Sequence, residues 1–88
     1  METLTLNHCQ EYELDLKTPK TGTLNVVAGG SSGDGVVKVA SAPSGTPFML
    51  VPAGSGDSYA VTGVTKLYFH YVAEPGKPQT VLVDWEIV

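Results

Sequence analysis

Glu11-Tyr12-Glu13-Leu14-Asp15-Leu16-Lys17 alternates without a break: Tyr12, Leu14 and Leu16 fall on one side, and the charged residues fall on the other. Side chains of an extended strand point to opposite faces in turn, so this stretch predicts a half-buried antiparallel strand with a wet outer face. Working outward, Thr3–Leu6 alternates in the same way. The turn residues Thr18-Pro19-Lys20-Thr21-Gly22 predict a break before a strand over Thr23–Ala28, which ends at Gly29-Gly30-Ser31-Ser32-Gly33-Asp34-Gly35. Further strands are expected at Val36–Ala40, Phe48–Val51, Tyr59–Thr62, Lys66–Ala73 and Thr80–Val88, with Gly63 as a bulge or tight corner. Glu74-Pro75-Gly76-Lys77-Pro78 is expected to close a hairpin between the last two. No segment sustains a period of 3.6, so no helix is expected. The fold class that follows is all-β: one small antiparallel β-sandwich or jelly-roll-like domain over 1–88, with about seven to eight short strands.

Eighty-eight residues allow one modest core and little room for a deep cleft. The net charge is -4, the five lysines are scattered and there is no arginine. Phosphate contacts need clustered cations, so nucleic acid is not an expected partner. Cys9 is the only cysteine, which forbids an intrachain disulfide and a thiolate cluster. The first residues lack the cationic-then-apolar pattern of a signal peptide, and no apolar run approaches the ~20 residues of a membrane span. The reading is of a soluble protein made in the cytosol, with no membrane partner.

No catalytic, cofactor-binding or metal-binding residues are expected. Asp34 and Asp57 each lie in a glycine-rich loop, but calcium needs six to eight oxygens and each loop offers one carboxylate. Gly29–Gly33 lacks the Gly-Lys-Ser/Thr ending of a phosphate cradle. Ser58 or Cys9 can be set on paper beside His70 and Asp84, yet no spacing recommends the combination. His8 and Cys9 are expected on opposite faces of an extended segment. Glu11, Glu13 and Asp15 form a comb that reads as a solubilising surface.

The segment Leu67-Tyr68-Phe69-His70-Tyr71-Val72 is bulky on both faces. One face must enter the core; Tyr68, His70 and Val72 then meet either a covering loop or another subunit. Amphipathic aromatics are enriched at interfaces, and a small β-domain gains from oligomerisation. Tyr68, His70 and Val72 are therefore the candidate interface, with Asp34 and Asp57 as loop-tip contacts. Ser32–Val37 and Ser55–Ala60 share a Ser-Gly-Asp start, read as one turn chemistry used twice.

The chain resembles small accessory proteins encoded among phage structural genes. The likeness lies in the Thr3-Leu4-Thr5-Leu6 start, Glu11–Leu16, Phe48-Met49-Leu50-Val51-Pro52-Ala53-Gly54-Ser55, Val61–Tyr68 and the closing strand pair. It carries over no functional residue. The resemblance implies a non-enzymatic virion protein that decorates or stabilises a head or tail surface as a symmetric oligomer, with a trimer favoured. Its partners would be itself and a viral coat or tail protein, and it would be made in the host cytoplasm. The alternative is a carbohydrate-binding module, with Trp85, Tyr59 or Tyr68 stacking on a sugar and Asp34 or Asp57 accepting hydroxyl hydrogen bonds. Against it, Trp85 shares a face with Val81, Val83 and Ile87, as a core residue would.

Overall fold

Two strands, each 18 residues long, organise the molecule: β2 (Glu11–Ala28) and β5 (Gly56–Ala73). They pair antiparallel along most of their length, from Glu11↔His70 to Val27↔Gly56. The other strands are β1 (Glu2–Asn7), β3 (Gly35–Ala40), β4 (Met49–Pro52) and β6 (Thr80–Ile87). The computed structural model describes residues 1–88. It is all-β, as the alternation predicts, but six strands replace the seven to eight short ones. The expected turn at Thr18–Gly22 lies inside β2, and Tyr59–Thr62 and Lys66–Ala73 are one strand.

The reason is that both interruptions are bulges, one on each side of the Lys20↔Val64 pair. Between Asp15↔Lys66 and Lys20↔Val64 the register shifts, with extra residues on β2. There Lys17 adopts a left-handed φ of 71° and its N–H donates to Asp15 Oδ1 at 2.8 Å. Pro19 has no N–H to give a ladder. A second shift lies between Lys20↔Val64 and Gly22↔Val61, where Gly63 takes φ 61°, the bulge expected of it.

The bulges fold one six-stranded sheet, in the order β1-β6-β2-β5-β3-β4, into two layers. The C-terminal half of β2 pairs β6 (Leu24↔Ile87 to Ala28↔Val83), and β6 pairs β1 (Glu2↔Trp85 to Asn7↔Thr80). With the start of β5, these make the first layer. The C-terminal half of β5 pairs β3 (Gly35↔Ala73 to Ala40↔Tyr68), and β3 pairs β4. With the start of β2, these make the second layer. The expected hairpin between the last two strands does not form. Both edges of the C-terminal half of β5 are already taken, by β2 and β3, so the chain crosses at Glu74–Gln79 to the first layer instead.

Alternate residues of both layers meet in one core. Leu4, Leu6, Leu24, Val26, Val83 and Trp85 face Val37, Val39, Val51, Leu67, Phe69 and Tyr71 within a single cluster. Each large side chain so buried stabilises by about 1.5–3 kcal/mol before entropy is counted. The radius of gyration, 12.1 Å, is what a close-packed chain of this length has. At one end of the core the Tyr71 hydroxyl lies between the carbonyls of Pro78 (3.0 Å) and Asp34 (3.3 Å), tying the crossing segment to the β2–β3 loop. Tyr71 also needs glycine at position 35, where a Cβ would stand 2.8 Å from its ring.

Candidate functional site

Since Leu67, Phe69 and Tyr71 point inward, Tyr68, His70 and Val72 line the outer face of the second layer. Pairing aligns three rows across that face. Val72 lies beside Val36, and Val36 beside Pro52. His70 stands between Glu11 and Lys38, and Lys38 beside Leu50. Tyr68 stands between Glu13 and Ala40. The candidate residues are thus joined by Val36, Lys38, Leu50 and Pro52. The alternation of Val36–Ala40 contained that signal, with Lys38 on the face opposite the core residues Val37 and Val39.

Tyr68 does not offer its ring to a partner. It is only 7% exposed, because the β3–β4 loop, 41–48, folds back over it. That loop is held by the Ser44 N–H, which donates to Glu11 Oε2 at 2.8 Å, and by Phe48, whose ring lies 4.8 Å from that of Tyr59. The Tyr68 hydroxyl donates to Glu13 Oε1 at 3.1 Å. Desolvation, then this hydrogen bond and the charges of Glu13, Glu11 and Asp15, push the phenol above its ordinary pKa. Of the expected interface trio, His70 and Val72 remain half-buried.

Beneath the loop is an open cavity of about 440 Å³, lined by Cys9, Glu11, Lys38, Ser44, Tyr68 and His70, among others. His70 Nε2 is buried without a hydrogen-bond partner. Lys38 and Glu11 both line this cavity and form no ion pair with each other.

His8 and Cys9 correct an expectation. They do not diverge: Cys9 adopts φ 62°, which turns its Sγ to 3.0 Å from His8 Nε2. His8 Nδ1 accepts the Ala73 N–H at 2.9 Å, so the neutral ring carries its proton on Nε2. In that tautomer His8 offers the sulfur a hydrogen rather than a lone pair, which is not how a base serves a nucleophile. The paper triad is dispersed as well. Ser58 and Asp84 lie on the first layer and His70 on the outer face of the second, while Cys9 shares a cavity with His70 but no hydrogen bond. No three His, Cys, Asp or Glu side chains converge as metal ligands.

The chain matches no family model, no curated protein and no solved structure.

Asp34 and Asp57 lie apart from the His70 face. Asp34 Oδ2 accepts the Ser31 N–H at 2.9 Å, closing the β2–β3 loop. Asp57 is not in a loop, because β5 begins at Gly56; its Oδ1 accepts the Ser58 N–H at 2.8 Å. The Ser-Gly-Asp repeats thus close on N–H groups at different offsets. Trp85 is 9% exposed and belongs to the core, leaving no surface for a sugar to stack on. The outer face of the first layer is mixed. Its Thr3 hydroxyl donates to Asp84, Asn25 to Glu86, and Thr80 to Asn7, while Val27 and Leu82 stand exposed among these polar pairs.

Proposed function

We propose that this chain is a non-enzymatic structural protein that decorates or stabilises a phage head or tail surface as a symmetric oligomer. The docking face on this reading is the outer face of the second layer. One observation carries it: Val72, Val36 and Pro52 form an apolar row there, flanked by Leu50 at 57% exposure. An apolar row rimmed by unpaired charges, here Lys38 and Glu11, is the composition of a modest protein-binding patch. A decorating protein gains its hold from several such patches bound at once rather than from one tight site. The phage assignment itself rests on the resemblance described above.

The test is the protein content of virions. Particles purified by density gradient from the strain that encodes the chain should contain it in a fixed ratio to the coat or tail protein. Replacing Val72 by Glu should remove it from the particles while the purified variant keeps its β-sheet circular dichroism. Its absence from virions made by cells that express it would overturn the reading.

The cavity beside this face supports a second reading, a small carbohydrate-binding module. Glu11, Lys38, Tyr68 and His70 supply the donors and acceptors that sugar hydroxyls require. Titration with common mono- and disaccharides should then shift the His70 ring resonances, and unmoved resonances would remove it.

A further inference from the structure

We propose that the free edge of β1 is a self-pairing surface, on which the β1 strands of two copies join antiparallel about a two-fold axis at Thr5. This deepens the oligomer part of the reading above, and it uses the layer opposite the proposed docking face.

Four strand edges are open to solvent, and three carry a block. The β4 edge is four residues long and lies between Pro47 and Pro52. The edge formed by the start of β2 runs into the bulge at Lys17 and Pro19, and the Ser44 N–H is bound to its Glu11. The edge formed by the start of β5 is closed locally. Ser55 faces β2, since its carbonyl accepts the Ala28 N–H at 2.8 Å, so by alternation Ser58 points its N–H outward. The Asp57 carboxylate takes that N–H. Such devices keep sheet edges from joining.

β1 has none of them. Glu2-Thr3-Leu4-Thr5-Leu6-Asn7 contains no proline, lysine or bulge, and it lies at the end of the strand order. His8 faces β6, its N–H donating to the Gln79 carbonyl at 2.7 Å. Alternation then turns Leu6 and Leu4 to β6 and leaves the N–H and C=O of Thr3 and Thr5 pointing outward.

The occupant follows from parity. Directly opposed residues share a face, so a symmetric antiparallel pair must set odd residues against odd ones. Of the registers that satisfy this, two overlap the strands most. One opposes Leu4 to itself and sets the Glu2 carboxylate on the inward side against Leu6. The other opposes Thr5 to Thr5, Leu4 to Leu6, Thr3 to Asn7 and Glu2 to His8. It keeps the leucines together and gives the Thr5 pair two reciprocal hydrogen bonds. The second register is the one proposed. The strand is thus complementary to a second copy of itself.

A pairing this short, centred on Thr3–Asn7, buries less than a standard stable interface, so the dimer should dissociate with a constant weaker than about 1 µM. Sedimentation equilibrium of the whole chain from about 10 µM to 1 mM should give a concentration-dependent dimer. Thr5 is exposed, so Thr5→Lys leaves the monomer intact, opposes two ammonium groups and should weaken the dimer at least about tenfold. Thr5→Pro removes only an outward donor and should do the same. In the wild type, the Thr3 and Thr5 amides should gain protection from hydrogen exchange as concentration rises. A monomer throughout, a trimer, or a dimer that survives Thr5→Lys with these amides still exchanging freely would overturn the proposal. Virion content and the mass of the purified chain are separate readouts, so either idea can fail without the other.

Discussion

The Tyr71 hydroxyl donates to the Pro78 carbonyl at 3.0 Å, joining the second layer to the segment that carries the chain back to the first. The same oxygen is 3.3 Å from the Asp34 carbonyl, so one phenol holds two connections at this end of the core. Tyr71→Phe leaves the ring in place and deprives Pro78 of this donor. The expected loss is about 1–2 kcal/mol of unfolding free energy, read by chemical denaturation. In a domain of this size that is a fall in Tm of roughly 4–8 °C for each kcal/mol.

Alkaline pH should destabilise the fold through the two buried phenols. Burial, with the Asp34 charge adding to it, raises the Tyr71 pKa above 10.0, and burial with Glu13 raises that of Tyr68. A raised folded-state pKa means that the folded chain keeps its protons while the unfolded chain gives them up. The contribution is complete below the unfolded value and is lost as pH rises through the folded one. Unfolding free energy should therefore be insensitive to these groups at pH 8 and fall from about pH 10 upward. Absorbance at 295 nm should follow the same late ionisation, and a curve with no component above the ordinary phenol value would contradict it.

Gly35→Ala should be among the costliest small substitutions. The added methyl would meet the Val72 carbonyl oxygen and stand 2.8 Å from the Tyr71 ring, at the end of the β3–β5 ladder where Tyr71 enters the core. Forcing a methyl into such a site costs about 1–3 kcal/mol. Gly63 is the contrast. Its neighbourhood is open, and only its φ of 61° opposes a side chain, so Gly63→Asn should cost well under about 1 kcal/mol. Thermal denaturation of the pair tests the difference.

Tyr68→Glu should damage the fold rather than the assembly. The substitution buries a carboxylate beside Glu13 and Glu11 under the 41–48 loop, where Tyr68 is shielded. Roughly 2–4 kcal/mol of stability should be lost, while Tyr68→Phe should cost about 1 kcal/mol. A Tyr68→Glu variant that keeps wild-type stability but changes its mass would place Tyr68 at a subunit contact instead.

The strands were legible wherever one face is buried and the other wet. Glu11–Leu16 and Leu67–Val72 have period two because the core imposes it, and Trp85 announced its burial by sharing a face with Val81 and Val83. The continuity of β2 and β5 was not legible. Thr18–Gly22 is composed like a turn, and local chemistry is the same whether such residues reverse a chain or bulge from a strand whose partner continues past them.

Among the candidate residues, the face of His70 and Val72 followed from alternation alone. The shielding of Tyr68 did not, because it depends on a loop more than twenty residues earlier in the chain folding back across the strand. The meeting of His8 with Cys9 was hidden for a different reason. A single left-handed φ at Cys9 cancels the divergence that extended geometry would impose.

Periodicity and punctuation by themselves determined an all-β chain, its core residues and the outward faces, since each strand must sort its own side chains between oil and water. Which strands are neighbours was decided only by the tertiary structure. A strand edge can bind one strand, and β2 and β3 hold both edges of the C-terminal half of β5, so β6 pairs with β2 and β1 although β5 is its neighbour in sequence. Competition of this kind among distant segments for a fixed number of hydrogen-bonding edges is written in no local stretch of the chain.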